Sequence, residues 1–126
     1  MRVLYVEDDD DNAYMMQRRL QRHGVEVIRA VDVDSGRREL AGELPDVVLL
    51  DLHLPDADGR VLLRHIRSTP ALEVLPVIVV SAHVMSDERA ATMAAGADAF
   101  LPKPLDFQRL LDTLHGLVSG GMAGED

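Results

Sequence analysis

The sequence predicts an α/β fold in which five strands alternate with five helices around one parallel sheet. Three observations carry this. Five short apolar runs rich in β-branched residues recur along the chain, segments with helical spacing separate them, and the runs are apolar throughout rather than alternating, as strands covered on both faces are. Strands that pair in parallel need right-handed crossovers, and these lay the helices on both faces of the sheet.

The strands are expected at RVLYV (2–6), VEVIRA (25–30), DVVLL (46–50), PVIVV (76–80) and AFL (99–101). The first helix, 11–22, offers Tyr14, Met15 and Leu20 as apolar points and has Asp10 or Asp11 as candidate N-cap. A short charged segment, 35–43, makes the second, and 59–68, with Val61, Leu62, Leu63 and Ile66, the third. The fourth, 86–95, opens at Ser86 with Asp87 and Glu88 in its first turn and stops at Gly96, which is helix start and stop chemistry. The last runs from Asp106 and carries Phe107, Leu110, Leu111, Leu114 and Val118 at i, i+3, i+4 spacing. Residues 1–119 are expected to form one domain, and the glycine-rich 120–126 a flexible tail.

Composition narrows the function. A chain of 126 residues, 47% hydrophobic, holds one adequate core. A net charge of −9 repels polyanions, so nucleic acid is not an expected partner. No cysteine is present for a disulfide or a thiolate zinc site. The opening MRVLYVEDD lacks a signal-peptide pattern, and no apolar run approaches the roughly eighteen residues a membrane span needs. A soluble, cytoplasmic protein without membrane contact is expected.

Ligands of open parallel sheets bind beyond the carboxyl ends of the strands. That rule brings together Glu7 and Asp8 after the first strand, Asp51 after the third, Ser81 after the fourth and Lys103 after the fifth. Three carboxylates about 5 Å apart repel by roughly 3 kcal/mol per pair at an effective dielectric of about 20, so the cluster calls for a cation. An all-oxygen set with room for water suits Mg²⁺. Asp9, Asp10 and Asp11 fit an acidic helix start instead. Asp51, a carboxylate at a strand tip beside a metal, is placed to attack a phosphoryl group and form an acyl phosphate. Lys103, the only lysine among 13 basic residues, is set between Pro102 and Pro104. It supplies a compact charge with rotatable donors for one phosphoryl or carboxylate oxygen. The Ser81 hydroxyl can donate to a phosphoryl oxygen.

The segments VLYVEDD, VVLLDLHLPDADG, PVIVVSA and GADAFLPKP, in this order, resemble the response regulator receiver domains of two-component signalling over residues 2–118. The resemblance implies a flavodoxin-like sheet in order 2-1-3-4-5 and phosphorylation of Asp51 by a histidine kinase or histidine phosphotransfer protein. It implies Mg²⁺ on Asp8, Asp51 and the backbone carbonyl of His53, with Glu7 helping through water, and a cis bond between Lys103 and Pro104. Ser81 and Phe100 match the family's switch pair, in which the ring turns inward. The output is a changed surface over the fourth helix, fifth strand and fifth helix. A downstream target protein, left unnamed by the sequence, would read that surface, the chain acting as a monomer or a phosphorylation-dependent dimer. The chain is then a phosphoacceptor rather than an enzyme. His53 and His83, two residues after Asp51 and Ser81, stand where the family varies and tunes phosphoryl lifetime.

Three alternatives stand beside this. The chain could be a receiver cut from a hybrid kinase, or a receiver-like binding module that is never phosphorylated. It could also be a Mg²⁺-dependent aspartyl-phosphate phosphatase of the haloacid-dehalogenase type. Against the last, its nucleophile follows strand one and a second aspartate stands two residues on, where this chain has His53.

Overall fold

The five apolar runs become five parallel strands: β1 Arg2–Val6, β2 Glu26–Ala30, β3 Val47–Asp51, β4 Val77–Ser81 and β5 Ala99–Pro102. The helices between and after them are α1 Asp10–Gln21, α2 Val33–Leu40, α3 Arg60–Ser68, α4 Ser86–Ala94 and α5 Phe107–Ala123. The computed structural model describes residues 1–82 and 86–123. The strand order is β2-β1-β3-β4-β5, all parallel.

Alternation along each strand builds two cores. Leu4, Val6, Val48, Leu50, Val77 and Val79 face the layer that includes Leu62, Leu63 and Ile66 of α3. Val3, Tyr5, Val47, Leu49, Ile78 and Val80 face Ala13, Met16 and Leu20 of α1 and Leu110 and Leu114 of α5. β3 and β4 are buried at every residue, which is why they read as unbroken apolar runs.

Three elements differ from the sequence expectation. In α1 the N-cap is Asp9, whose carboxylate accepts from the Asn12 N–H at 2.9 Å. Ala13, Met16 and Leu20 face the core, while Tyr14 and Met15 are 59% and 60% exposed. The i, i+3, i+7 stripe, not the largest apolar side chains, decides the buried face. α2 begins at Val33, because Asp32 and Ser35 form a capping box, and it ends at Leu40. α5 runs to Ala123, beyond the apolar stripe that ends at Val118, since extending a helix adds one bond per residue and glycine costs only about 1 kcal/mol.

Arg67, at the end of α3, fastens the amino ends of two strands. Its Nε donates to Gly96 O at 2.8 Å, Nη1 to Leu75 O at 2.7 Å, and Nη2 to Asp98 Oδ2 at 2.8 Å. Asp98 Oδ2 also accepts from the Val77 N–H at 2.8 Å.

Candidate functional site

At the carboxyl edge of the sheet, β1 delivers Glu7 and Asp8, and β3 ends on Asp51. Ligand oxygens of these three carboxylates all lie within 4.8 Å of one another, with Glu7 and Asp51 buried and Asp8 exposed. β5 brings Lys103 to the same point, where Nζ donates to Asp51 Oδ2 at 2.9 Å and to Glu7 Oε1 at 3.2 Å. The Lys103 N–H donates to Ser81 O at 2.9 Å, so the register of β4 with β5 sets where the ammonium lands. The Lys103–Pro104 peptide is cis.

Electrostatics differentiate the acids. Burial pushes the Glu7 carboxyl upward, as do the hydrogen bond and charge of Asp51, and Lys103 only partly offsets them. Burial also pushes Asp51 upward, but hydrogen bonds with Glu7, the His53 N–H and Lys103 outweigh it and leave Asp51 below its ordinary value. Burial favours the neutral form of Lys103, yet the two acids hold it above its usual value. Asp51 thus faces the Lys103 ammonium with its carboxylate form favoured.

The loop after β3 is built around Asp51. Its Oδ1 accepts from the His53 N–H at 3.0 Å, and the Gly59 N–H closes onto Leu52 O at 2.8 Å. Asp56 reaches across to α2, taking the N–H groups of Val33 and Asp34 at 3.0 and 3.1 Å. This loop, with Asp8, lines a cleft of about 350 Å³. A second cleft of about 470 Å³ lies on the other side of the acids, between Met15, Met16 and Arg19 of α1 and Lys103, Pro104 and Leu105.

Ser81 is fully buried at the end of β4, with its hydroxyl 3.5 Å from His53 Nε2. The same imidazole nitrogen lies 3.9 Å from Glu88 Oε1 of α4. Phe100 is buried, packed in the α3-side core. His83 lies outside the described residues.

The structure thus gathers Glu7, Asp8, Asp51 and Lys103 into one cluster, with Ser81 and His53 at its flank. Tyr5, Asn12 and Glu88 join them without having been read as site residues in the sequence, and Asp56 ties the loop after β3 to α2. Tyr5 had a signal, since a tyrosine two positions before a strand-end acid shares its face. Asp56 had none, because its partners are more than twenty residues away.

The family model for the response regulator receiver domain matches residues 3–115. The chain belongs to the response regulator receiver domain family. The receiver is 36% identical over 118 residues to the response regulator MprA of Mycobacterium avium, covering 94% of this chain and 51% of that protein. It spans about half the length of the curated relatives it matches first. Among solved structures, the signal receiver domain of a DNA-binding response regulator from Colwellia psychrerythraea superposes with a TM-score of 0.88 at 30% identity, covering 94% of this chain and 98% of that one. The receiver domain of a sensor histidine kinase from Pseudomonas aeruginosa superposes with a TM-score of 0.86 at 26% identity, covering 94% and 97%. That structure carries a magnesium ion in the active-site cleft.

Proposed function

We propose that this receiver takes a phosphoryl group onto Asp51 from the phosphohistidine of a histidine kinase or histidine phosphotransfer protein, with Mg²⁺. The observation that carries the reading is the ionised Asp51 held 2.9 Å from Lys103, inside a cluster of three carboxylates. An Asp51 carboxylate oxygen forms the new bond to phosphorus while the phosphorus–nitrogen bond of the donor breaks and the imidazole leaves, to be protonated by water. Bound Mg²⁺ would neutralise the charge of the approaching anions. The residues fit the ion, since they are hard oxygen donors that repel one another without it. Asp8, Asp51 and the His53 carbonyl would hold it, with Glu7 acting through water. Lys103 then exchanges its Asp51 contact for a phosphoryl oxygen, and the Ser81 hydroxyl donates to another. The chain is the acceptor in this transfer and not a turnover enzyme.

The test is incubation with a small-molecule phosphodonor and Mg²⁺, followed by intact mass. One added phosphoryl group, labile to hydroxylamine, is expected; none, in a folded protein that binds Mg²⁺, overturns the reading.

Mg²⁺ should also stabilise the fold, because the unfolded chain does not hold the acids together. At tenfold above its Kd the expected gain is about 1.4 kcal/mol, or about 5 °C in melting temperature. Asp8→Ala should remove most of that gain, and equal stabilisation of the variant would place the metal elsewhere.

The output surface is α4, β5 and α5, read by a downstream protein. Ser81 and Phe100 act as the switch pair, the Phe100 ring turning inward as the Ser81 hydroxyl moves to the phosphoryl group. What a phosphoryl group changes is the partner of Ser81, drawing its hydroxyl from the neighbourhood of His53 and Glu88. Ser81→Ala should still accept phosphoryl at Asp51, but a beryllofluoride mimic should shift the amide resonances of α4 less than in the parent. Equal shifts would send the signal by another route.

A further inference from the structure

Three side-chain donors converge on one oxygen of the Glu7 carboxylate, beside its hydrogen bond with Asp51. Oε1 accepts from Tyr5 Oη at 3.3 Å, Asn12 Nδ2 at 3.4 Å and Lys103 Nζ at 3.2 Å, and none of these three donors is on Oε2. The donors come from three elements. Tyr5 sits in the middle of β1, paired with Arg29 of β2 and Leu49 of β3, and Glu7 follows two residues later on the same face. Asn12 lies in the first turn of α1, its backbone fixed by the N-cap Asp9, so its side chain reaches back to the strand end. Lys103 arrives from the other edge. Tyr5 is only 2% exposed, and a phenol is a hydrogen-bond donor at neutral pH. A phenylalanine would fill that core position equally well. The hydroxyl is an added polar group that burial makes costly without a partner, and Glu7 is the partner it has.

We propose that Tyr5 and Asn12 are positioning residues for the metal site, holding Glu7 by Oε1 and leaving Oε2 as the oxygen available to the metal's water. This rests on the reading of Glu7, Asp8 and Asp51 as the Mg²⁺ site. Of the three donors, Lys103 is also called on by the phosphoryl group when transfer occurs, whereas Tyr5 and Asn12 have no such second duty. They keep Glu7 oriented before, during and after transfer. Without them the carboxylate follows the ammonium, and the outer part of the metal site loses its fixed geometry. Partners of this kind behind a ligand commonly change metal affinity by about 10-fold or more.

The test is Mg²⁺ titration by calorimetry on the intact chain, with no phosphodonor present. Tyr5→Phe should weaken Mg²⁺ binding about 3-fold and Tyr5→Phe with Asn12→Ala about 10-fold. The same titrations in a Glu7→Gln background separate positioning from general damage. There Tyr5→Phe should cost nothing further, because the residue acts only through Glu7. Affinity within twofold of the parent in the double variant, while Asp8→Ala abolishes binding, overturns the proposal alone. An equal loss in the parent and Glu7→Gln backgrounds also overturns it, since the effect would then bypass Glu7. Unchanged binding in Asp8→Ala would remove the metal site itself and this proposal with it. Tyr5→Phe conserves the buried ring, so its result stands even if the double variant fails to fold.

Discussion

Asp51→Asn should incorporate no hydroxylamine-labile phosphate, whereas the parent takes up one group under the same conditions. The amide is neutral and cannot attack phosphorus as the carboxylate does. The fold should survive. The amide oxygen can still accept from the His53 N–H, which Asp51 Oδ1 takes at 3.0 Å, and Lys103 retains Glu7 at 3.2 Å. What the variant loses is the acceptor opposite Lys103, because an amide NH₂ there would face an ammonium, donor to donor. The loss should therefore be complete for transfer and small for stability. Intact mass before and after hydroxylamine, beside a thermal melt, reads both. Retained labile phosphate in a folded Asp51→Asn protein would put the acceptor on another residue.

The second large effect is expected at Gly59, directly before α3. Its backbone, at φ −56° and ψ −23°, is ordinary helical geometry open to any residue. Conformational entropy alone would make Gly59→Ala stabilising, by about 0.4–1 kcal/mol. Contact reverses the sign. A Cβ there would stand 2.4 Å from the Asp51 carbonyl oxygen and 2.9 Å from Leu52 Cα, both backbone atoms that cannot rotate aside. Overpacking of this kind costs about 1–3 kcal/mol, and the upper end is expected because the whole loop must shift. Gly59→Ala should lower the denaturant midpoint by the equivalent of about 2 kcal/mol after the entropy gain is subtracted. Mg²⁺ binding should weaken with it, since the displaced segment carries Asp51 and the His53 carbonyl. A midpoint at or above the parent's would show that the loop yields without cost.

The sheet was legible in the sequence because β3 and β4 are buried on both faces, and continuous apolar runs have few other meanings. The acid cluster and Lys103 were legible for a related reason. A parallel sheet collects strand ends, so polar residues after each strand fall together whatever their separation in sequence. What escaped was local or remote in a specific way. Three consecutive aspartates, Asp9 to Asp11, are equally good caps, and only the packing of Ala13, Met16 and Leu20 selects Asp9. The start of α2 was written in Asp32 and Ser35, three apart, but the charged segment after them masked it. Tyr14 and Met15 are large and apolar yet lie on the open side of α1. The bond from Tyr5 to Glu7, and the meeting of Ser81, His53 and Glu88, depend on side-chain directions that no spacing encodes.

Arg67 has a mechanical meaning. Its guanidinium grips the turns leading into β4 and β5, where Asp98 also clamps the Val77 N–H. That rim is opposite the one carrying Ser81 and Lys103. A lever bolted at one end moves only at the other. The segments leading into β4 and β5 are thus joined to α3 and to one another at the amino rim, through one guanidinium and one carboxylate. Arg67 would serve as the fulcrum of any such movement, because its three bonds join α3 to the starts of both strands.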